Sequence, residues 1–299
     1  MGEMTAIRDA YGAALKELGE QDVRIVGLEA DVASSTKSGI FGSAFPERYF
    51  NVGISELNMV SMAAGLARTG FIPFVNTFAV FLTTRGADPV QSLIAYDSLN
   101  VKLCGAYCGL SDSYDGASHQ AITDMAFVRS IPNMTVIATA DGTETRKAVF
   151  AIAEHQGPVY LRLSRAPAPV FYGDNMRFEI GKGIRVREGN DVSIITTGTL
   201  LHLSLIHISD STSLSSPPTM PVCPCAGSGT HSEVRQPGRP RQPGAVYTHI
   251  WTVWRTLPRP GQEALYGFPI WPGSRALSGI HGPGACSMGP GWRQIIHPL

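Results

Sequence analysis

The sequence has 299 residues, with 24 acidic side chains, 24 Lys and Arg side chains and five cysteines. That length can form one large domain or two ordinary ones, and the balanced charge argues against a nucleic-acid partner. No apolar run is long enough for a membrane span, and residues 1–12 lack the apolar core of a secretory signal. We therefore expect a cytoplasmic protein with no membrane partner.

Residues 1–170 alternate between helical and strand patterns. In chain order the sequence predicts a helix over 4–20, a strand over 24–29, a polar turn over 33–37, a helix from Glu56, a strand over 72–76, and a helix from Phe78 that is interrupted near Pro89. It then predicts a strand over 101–107, a loop over 110–120, a helix over 123–130, a strand over 134–139, a helix over 143–155 and a strand over 159–163. Strands that are almost continuously apolar, alternating with helices, predict an α/β fold with a doubly wound parallel sheet.

The last third of the chain differs in composition from the rest. Residues 191–197 predict the first strand of a further domain, but beyond Leu203 the sequence has no lysine, most of the 21 prolines and all four tryptophans. Natural disordered segments are poor in Trp and rich in Lys and Glu, and no helical or strand period is sustained here. We therefore expect residues 204–299 to be frameshifted or chimeric and disordered, and exclude them from fold prediction.

The stretch 51–85 carries the first candidate for chemistry. Ser55 is a candidate N-cap, which puts Glu56 in the first turn of an apolar helix. Phe78 and Phe81 follow the next strand, and a carboxylate with two rings nearby suits a flat, nitrogen-rich heterocycle. The alternative is that Glu56 only complements the helix dipole, worth about 0.3–1 kcal/mol, and that the rings belong to the core. The residues predicted to form the buried side of this helix are Val60, Ala63, Ala64 and Leu66.

A second candidate lies in the loop from Asp115 to Gln120, which follows a strand. Open α/β sheets bind ligands beyond the carboxyl ends of their strands. His119 is the best acid–base candidate because the pKa of imidazole is close to working pH. The alternative is a loop histidine that only orders a turn.

Three arginines near strand ends form a third candidate group. Arg8, Arg162 and Arg165 could bind a phosphate or carboxylate through their forked donors, although surface salt bridges are the alternative. The sequence has neither a GxxxxGK[ST] loop nor a GxGxxG turn that opens a helix.

The cysteines do not predict a metal site. Cys104 and Cys108 are expected to be reduced and buried as small apolar side chains. Cys223-Pro-Cys225 has no second ligand pair at zinc-site spacing.

Five motifs, taken in order and at their spacing, resemble the pyrimidine-binding domain of transketolase: GISELNM, NTFAVF, YDGASHQAITD, RSIPNMTVIATADGTE and LRLSR. The resemblance runs from about Thr5 to Gly198. It implies a thiamine-diphosphate-dependent enzyme that transfers two-carbon ketol units between phosphosugars. Deoxyxylulose-phosphate synthase, which condenses pyruvate with glyceraldehyde phosphate, has the same fold and is the nearest alternative. A catalytically dead fragment that only binds a partner subunit is a third.

The resemblance assigns roles to the candidate residues. Glu56 would be catalytic and would hold N1′ of the aminopyrimidine, with Phe78 and Phe81 lining its pocket, while His119 would hydrogen-bond the donor sugar. Tyr107 departs from the family pattern, because many transketolases have a phosphate-binding histidine there. The substrate-binding residues that the resemblance implies are Arg8, Ser35, Asp115, His119 and Arg165.

The resemblance also implies a partner. The family binds the diphosphate and its Mg²⁺ through a GDG motif and a later Asn in a separate domain, and this sequence contains no GDG. It therefore resembles the C-terminal subunit of a split transketolase, inactive until an N-terminal subunit supplies that site. Homodimerisation would use the pyrimidine domain. Residues 171–203 would be a linker and the truncated start of the third family domain.

Overall fold

The computed structural model describes residues 4–112, 114–188 and 194–211, the last of these with side chains up to 206, and the backbone of 254 and 255. Its strands are β1 (Met4–Ala6), β2 (Ile25–Glu29), β3 (Tyr49–Asn51), β4 (Ile72–Phe78), β5 (Lys102–Ala106), β6 (Thr135–Ala138), β7 (Val159–Arg162), β8 (Pro167–Pro169) and β9 (Trp254–Arg255). Six of them form a parallel sheet in the order β3-β2-β4-β5-β7-β6. β9 is added antiparallel beside β6, and β1 pairs with β8 in a separate two-stranded sheet.

Helices cover both faces of the parallel sheet. They are α1 (Ile7–Gln21), α2 (Ala33–Thr36), α3 (Gly39–Ala44), α4 (Glu56–Arg68), α5 (Ala79–Thr84), α6 (Ala87–Pro89), α7 (Asp124–Ser130), α8 (Gly142–Glu154) and α9 (Leu200–Ser211), with 3₁₀ turns at Pro46–Arg48 and Ala117–His119 and a π-helical segment at Val90–Ala95. α1, α3 and α8 bury Tyr11, Phe41 and Ile152 against one face. α4, α5 and α7 bury Val60, Leu82 and Val128 against the other. The predicted doubly wound α/β fold is confirmed.

The central strands are buried along their whole length, as their apolar sequences predict. Every residue of β2, β4 and β5 is buried, because both faces of the sheet are covered. Lys102 at the start of β5 is one of the polar residues buried in these strands, with Glu29, Asn76 and Thr77. Its Nζ donates to Asn100 Oδ1 at 2.5 Å and to the carbonyls of His155 and Gly157 at 2.7 and 2.9 Å. Burial lowers the pKa of Lys102 to about 7.

The first predicted helix begins three residues later than its sequence pattern suggests. Residues 4–6 form β1, which pairs with β8 in the register Ala6 to Pro167. This long-range pairing overrides the local helical pattern. Arg8 stands two residues after Ala6 and Arg165 two residues before Pro167, so the antiparallel register brings both arginines to the same corner of the molecule.

Short elements between β2 and α4 were missed by the sequence analysis. The predicted polar turn 33–37 is α2, and α3 and β3 follow it. They are too short to show a period, and they are held by tertiary packing of Phe41 and Tyr49 against the α1 side of the core. Ser55 is the N-cap residue of α4 and Glu56 lies in its first turn, as predicted, although the Ser55 side chain makes no capping hydrogen bond.

The remaining boundaries differ mainly at the ends of elements. β4 runs on to Phe78, and the helix expected from there is divided into α5, α6 and the π-helical segment. Three of the four residues on the predicted buried side of α4 are buried, whereas Leu66 is only half-buried. Cys104 and Cys108 are reduced and buried as predicted, and burial raises their pKa values to about 12 and about 11.

Beyond β8 the chain packs back on the domain without regular structure. Tyr172, Phe178 and Ile184 pack against the core cluster of α1 and α8. Residues 194–197 are not in a strand, so the strand predicted over 191–197 is absent from its described part. Residues 204–211, expected to be disordered, continue α9, and 254–255 form β9; the rest of 204–299, with Cys223 and Cys225, lies outside the described residues.

Within the part of the chain that is described, no helix is both long and apolar enough to cross a membrane.

Candidate functional site

The candidate residues gather at the carboxyl ends of β2, β4 and β5. The order of the strands reverses between β2 and β4, and such a switch point is where open α/β sheets form their ligand crevice. Glu29 ends β2, Phe78 ends β4, and Tyr107 follows β5 by one residue. The loop after β5 adds Asp115 and His119 to the same edge of the sheet.

Glu56 is the first residue of α4 and is 3% exposed. Its Oε1 accepts a hydrogen bond from Arg85 Nη1 at 2.9 Å, and the Arg85 guanidinium lies 4.1 Å from the centroid of the Phe81 ring. Arg85 was not predicted as a site residue. Its position four residues after Phe81, one helical turn on, was the available signal, because residues at this spacing share a helix face.

Four rings form a continuous aromatic cluster, which Arg85 connects to Glu56. Phe78 lies 5.8 Å from Phe81 and 4.4 Å from Tyr107, measured between ring centroids. His119 meets both phenylalanines edge-on, at 5.6 Å from Phe78 and 5.1 Å from Phe81. Its Nδ1 is 2.9 Å from Ser118 Oγ. Phe78 and Phe81, predicted from one motif, are therefore in direct contact with His119, predicted from another.

We use the name arginine corner for Arg8, Ser35, Tyr107 and Arg165. Arg8 Nη1 donates to the Ser35 carbonyl at 3.2 Å and to the Tyr107 hydroxyl at 2.6 Å. The Arg165 guanidinium lies 4.9 Å from the centroid of the Tyr107 ring. The Tyr107 side chain thus lies between two arginines and connects the arginine corner to the aromatic cluster through Phe78.

Two aspartates adjoin the arginine corner. Asp112 is buried and forms an ion pair with Arg165, whereas Asp115 is exposed. Burial opposes ionisation of Asp112, but its hydrogen bond with Asp115 and the charge of Arg165 outweigh burial and hold the pKa of Asp112 below its usual value. The same hydrogen bond raises the pKa of Asp115. Asp112 was missed because one aspartate in a polar loop carries no distinguishing pattern.

Arg162 does not join the arginine corner. Its Nε donates to Asp124 Oδ2 at 2.7 Å and its Nη2 to Asp124 Oδ1 at 3.2 Å. Tyr160 donates a further hydrogen bond to Asp124 Oδ2 at 2.8 Å. Like Arg165 with Asp112, Arg162 is thus engaged by a buried carboxylate.

The arrangement fits one end of thiamine diphosphate. Glu56 accepts one recorded hydrogen bond, so its carboxylate retains lone pairs for a ligand, and Phe78 and Phe81 offer ring faces and edges for a flat heterocycle. Among the described residues, no group of three or more His, Cys, Asp or Glu side chains is placed to hold a metal ion. The residues present therefore suit the aminopyrimidine.

The chain is similar to known proteins over the whole of the domain described above. Residues 3–169 match the family model described as the transketolase pyrimidine-binding domain. The chain is 43% identical over 199 residues to a protein from Methanocaldococcus jannaschii that is named as a transketolase C-terminal section, covering 66% of this chain and 63% of that protein. It is 39% identical over 200 residues to the 6-deoxy-6-sulfo-D-fructose transketolase subunit SqwH of Clostridium sp., covering 67% of this chain and 62% of that protein.

The chain is also similar to a solved structure. A split-gene transketolase, described as an inactive beta4 tetramer, superposes with a TM-score of 0.63 at 42% identity, covering 71% of this chain and 69% of that one. The chain spans less than two thirds of the length of the two curated relatives above. Because the family model covers more than half of its residues, the chain belongs to the transketolase family, and residues 3–169 are its pyrimidine-binding domain.

Proposed function

We propose that this chain is the C-terminal subunit of a split transketolase that, with an N-terminal partner, transfers two-carbon ketol units between phosphosugars. The observation that carries the proposal is the buried Glu56 carboxylate, which accepts one hydrogen bond from within the described residues. Its donor, Arg85, lies over Phe81, which belongs to the cluster with Phe78 and His119. A relative named as a C-terminal section and another named as a subunit support a divided enzyme. The relatives named above favour transketolase over deoxyxylulose-phosphate synthase.

Glu56 would act at the aminopyrimidine of the cofactor. When bound, thiamine diphosphate supplies the acidic carbon and the electron sink that ketol transfer requires. Glu56 would share a proton with N1′, and Arg85 would fix the orientation of its carboxylate through the hydrogen bond at 2.9 Å. Phe78 and Phe81 would hold the flat heterocycle and exclude water from it.

His119 and Asp115 would act on the donor sugar. Since Nδ1 of His119 faces Ser118 Oγ, Nε2 would be the atom offered to a sugar hydroxyl or carbonyl oxygen. The two phenylalanine rings hold the imidazole edge-on, which limits its rotation. Asp115 would receive a sugar hydroxyl at the exposed side of the same loop.

The arginine corner would bind the sugar phosphate. Arg165 is compensated by Asp112, whereas Arg8 forms no ion pair within the described residues and its buried Nε has no recorded hydrogen-bond partner there. Arg8 therefore supplies the uncompensated positive charge that an anion needs. Ser35 would add a hydroxyl, and Tyr107 would add one where many relatives have a histidine.

The partner subunit would hold Mg²⁺ and the diphosphate. Ile54 and Leu57, which lie close to Glu56 in the sequence, are 73% and 54% exposed, and such exposed apolar side chains suit a protein contact. Homodimerisation through this domain and a cytoplasmic location stay predictions. A catalytically dead fragment is the alternative within the family.

Calorimetric titration with thiamine diphosphate and Mg²⁺ tests the proposal. We expect no tight binding to the chain alone, and tight binding once an N-terminal transketolase subunit is present. The Glu56→Gln chain serves as the matched control for the cofactor contact. Tight binding by the chain alone would contradict the divided site, and a complex that binds cofactor without ketol transfer would identify a dead fragment.

A further inference from the structure

Glu29 is a buried carboxylate that the proposed chemistry does not use. It ends β2, is fully buried, and receives hydrogen bonds from four groups of the segment that follows. The amides of Ala30 and Val32 donate to Oε1, each at 3.1 Å. The Thr36 hydroxyl donates to Oε2 at 2.8 Å, and the Ser38 hydroxyl donates to the same oxygen.

These contacts fix the segment 30–38, which carries Ser35. Asp31 and Lys37, at either end of it, have positive φ angles of 63° and 65°, a conformation that costs free energy for residues other than glycine. The contacts of Glu29 with Ala30, Val32 and Thr36 offset that cost. The carbonyl of Ser35, next to Thr36, then accepts the hydrogen bond from Arg8.

We propose that Glu29 is the positioning residue of the arginine corner: its carboxylate fixes the segment 30–38, so that Ser35 and Arg8 are held in place for the anionic end of a sugar substrate. The proposal rests on the function proposed above. Glu29 touches neither cofactor nor substrate, and it acts through the chain of contacts from Thr36 to Ser35 to Arg8. Its loss should weaken recognition of the anion and spare the chemical step.

The surroundings of Glu29 make this positioning sensitive to pH. Burial raises the pKa of Glu29 to about 7, although its hydrogen bonds oppose the shift. Among the described residues, titratable groups that face it are Tyr11 of α1 and Tyr49 of β3. Burial is the main cause that raises the pKa of both. The charge of Glu29 comes next for Tyr49, whereas for Tyr11 it follows the interactions with Cys104. Asn76 lies beside it on β4, and within the described residues no cation pairs with it. A proton on Oε2 would turn an acceptor into a donor and force Thr36 and Ser38 to reorient.

The test compares an aldose phosphate with the same aldose lacking phosphate, in the complex with the N-terminal subunit and cofactor. Above the pKa of Glu29, the Glu29→Gln enzyme should show a KM for the aldose phosphate raised about tenfold, the effect of one misplaced charge-assisted hydrogen bond. Its kcat, and its KM for the unphosphorylated aldose, should not change. Such a split indicates lost binding, not lost transition-state stabilisation.

A matched control is available in Glu144, another buried carboxyl with a raised pKa caused chiefly by burial. Its Oε2 accepts from the amide of Ala140, just before α8, and within the described residues its carboxyl has no hydrogen bond or ion pair to the arginine corner. Glu144→Gln should lower stability without altering the preference for the phosphorylated aldose. If it alters the preference as Glu29→Gln does, the effect is general loss of stability and the proposal is overturned.

A sugar sulfonate used as a competitive inhibitor supplies the pH arm, because its charge is constant. Its affinity for the wild-type complex should fall as the pH drops through about 7, and the Glu29→Gln complex should lack this step. Should Glu29→Gln fail to fold, Thr36→Val removes one donor and should weaken anion binding in the same direction. An unchanged preference in these variants overturns the inference alone, whereas a wild-type enzyme without any preference for phosphate overturns the proposed substrate as well.

Discussion

Two buried carboxylates near the carboxyl edge of the sheet are each paired with an arginine, yet their surroundings differ. Asp124 receives three hydrogen bonds, from the Tyr160 hydroxyl and from two nitrogens of Arg162, whose side chain is 22% exposed. Glu56 receives one from within the described residues, that of Arg85, whose side chain is 50% exposed. A carboxylate has about four lone-pair sites. Asp124 is therefore nearly saturated by the fold, whereas Glu56 is open to a ligand.

The helix dipole does not distinguish the two. Asp124 is the first residue of α7 and Glu56 the first residue of α4. The interpretation of Glu56 as a dipole-complementing residue applies equally to Asp124. What separates them is the number of internal donors and the exposure of the arginine. We therefore expect Glu56, which has spare acceptor capacity beside an exposed partner, to bind a ligand, and Asp124, which is nearly saturated, to stabilise the fold.

Replacing the open acid should produce the largest effect. In the reconstituted complex, Glu56→Gln keeps the size of the side chain but cannot share a proton with N1′ as a carboxylate does. Exchange of the cofactor C2 proton should slow by roughly 10²–10⁴-fold, the usual contribution of a positioned acid–base group. Stability should change by only about 0.3–1 kcal/mol, the contribution of a first-turn carboxylate. Exchange followed by NMR and thermal melting measure the two effects in parallel.

The saturated acid supplies the control for this prediction. If C2 exchange is untouched in Glu56→Gln while the melting temperature falls, Glu56 belongs with Asp124 as a structural residue. The central difference between the two carboxylates would then be lost.

Replacing the saturated acid should instead destabilise the fold. Asp124→Asn leaves the largely buried Arg162 guanidinium without its counter-charge, and breaking such a pair costs about 3–5 kcal/mol. Urea unfolding of the full chain measures this loss. The double variant Asp124→Asn with Arg162→Met should recover part of it, because the stranded charge is gone. A fully stable single variant would show that Asp124 is no more structural than Glu56.

Substitution of His119 tests whether residues other than Glu56 also act on a ligand. In the complex, His119→Ala should slow sugar turnover by roughly 10²-fold, the lower end of what an acid–base group contributes, with cofactor affinity unchanged. Ser118→Ala, which removes the partner of Nδ1, should slow turnover in the same direction but less. Steady-state kinetics and cofactor titration separate the two effects. Full activity in a less stable His119→Ala enzyme would assign His119 to turn formation.

The sequence predicts the candidate site around Glu56 better than it predicts the roles of the other charged residues. Glu56, Phe78 and His119 lie in motifs whose spacing is local, and the alternation of strands and helices predicts the sheet edge at which they meet. Asp112 and the role of Asp124 are not predictable in this way, and the only local signal for Arg85 is its spacing of four residues from Phe81. Their significance depends on which charged groups the fold brings together, and one charge in a helix or loop has no distinguishing pattern.

Some elements of the fold were likewise easier to predict than others. The long apolar strands of the sheet were predicted to within a few residues, since their burial on both faces determines their composition. β1, β3, α2 and α3 were missed because each depends on partners distant in sequence. The pairing of β1 with β8 matters most for the site, since it brings Arg8 and Arg165 together.

Glu29 differs from both Glu56 and Asp124. It is a buried acid that has neutral donors and, within the described residues, no arginine or lysine partner. Without a cation to favour the charged form, burial raises its pKa from 4.5 in the unfolded chain to about 7 in the folded one. Between these values the folded state binds more protons, so the free energy of unfolding should decrease as pH rises from about 4.5 to about 7. The loss should be roughly 2–3 kcal/mol.

Since other groups titrate in the same range, the quantity to measure is the difference in stability between wild type and Glu29→Gln at each pH. That difference should shift in favour of the glutamine variant as the pH rises, because only the wild type must ionise a buried carboxyl. A difference independent of pH would mean that Glu29 is already ionised throughout, and that neutral donors can hold a buried carboxylate as well as Arg162 holds Asp124.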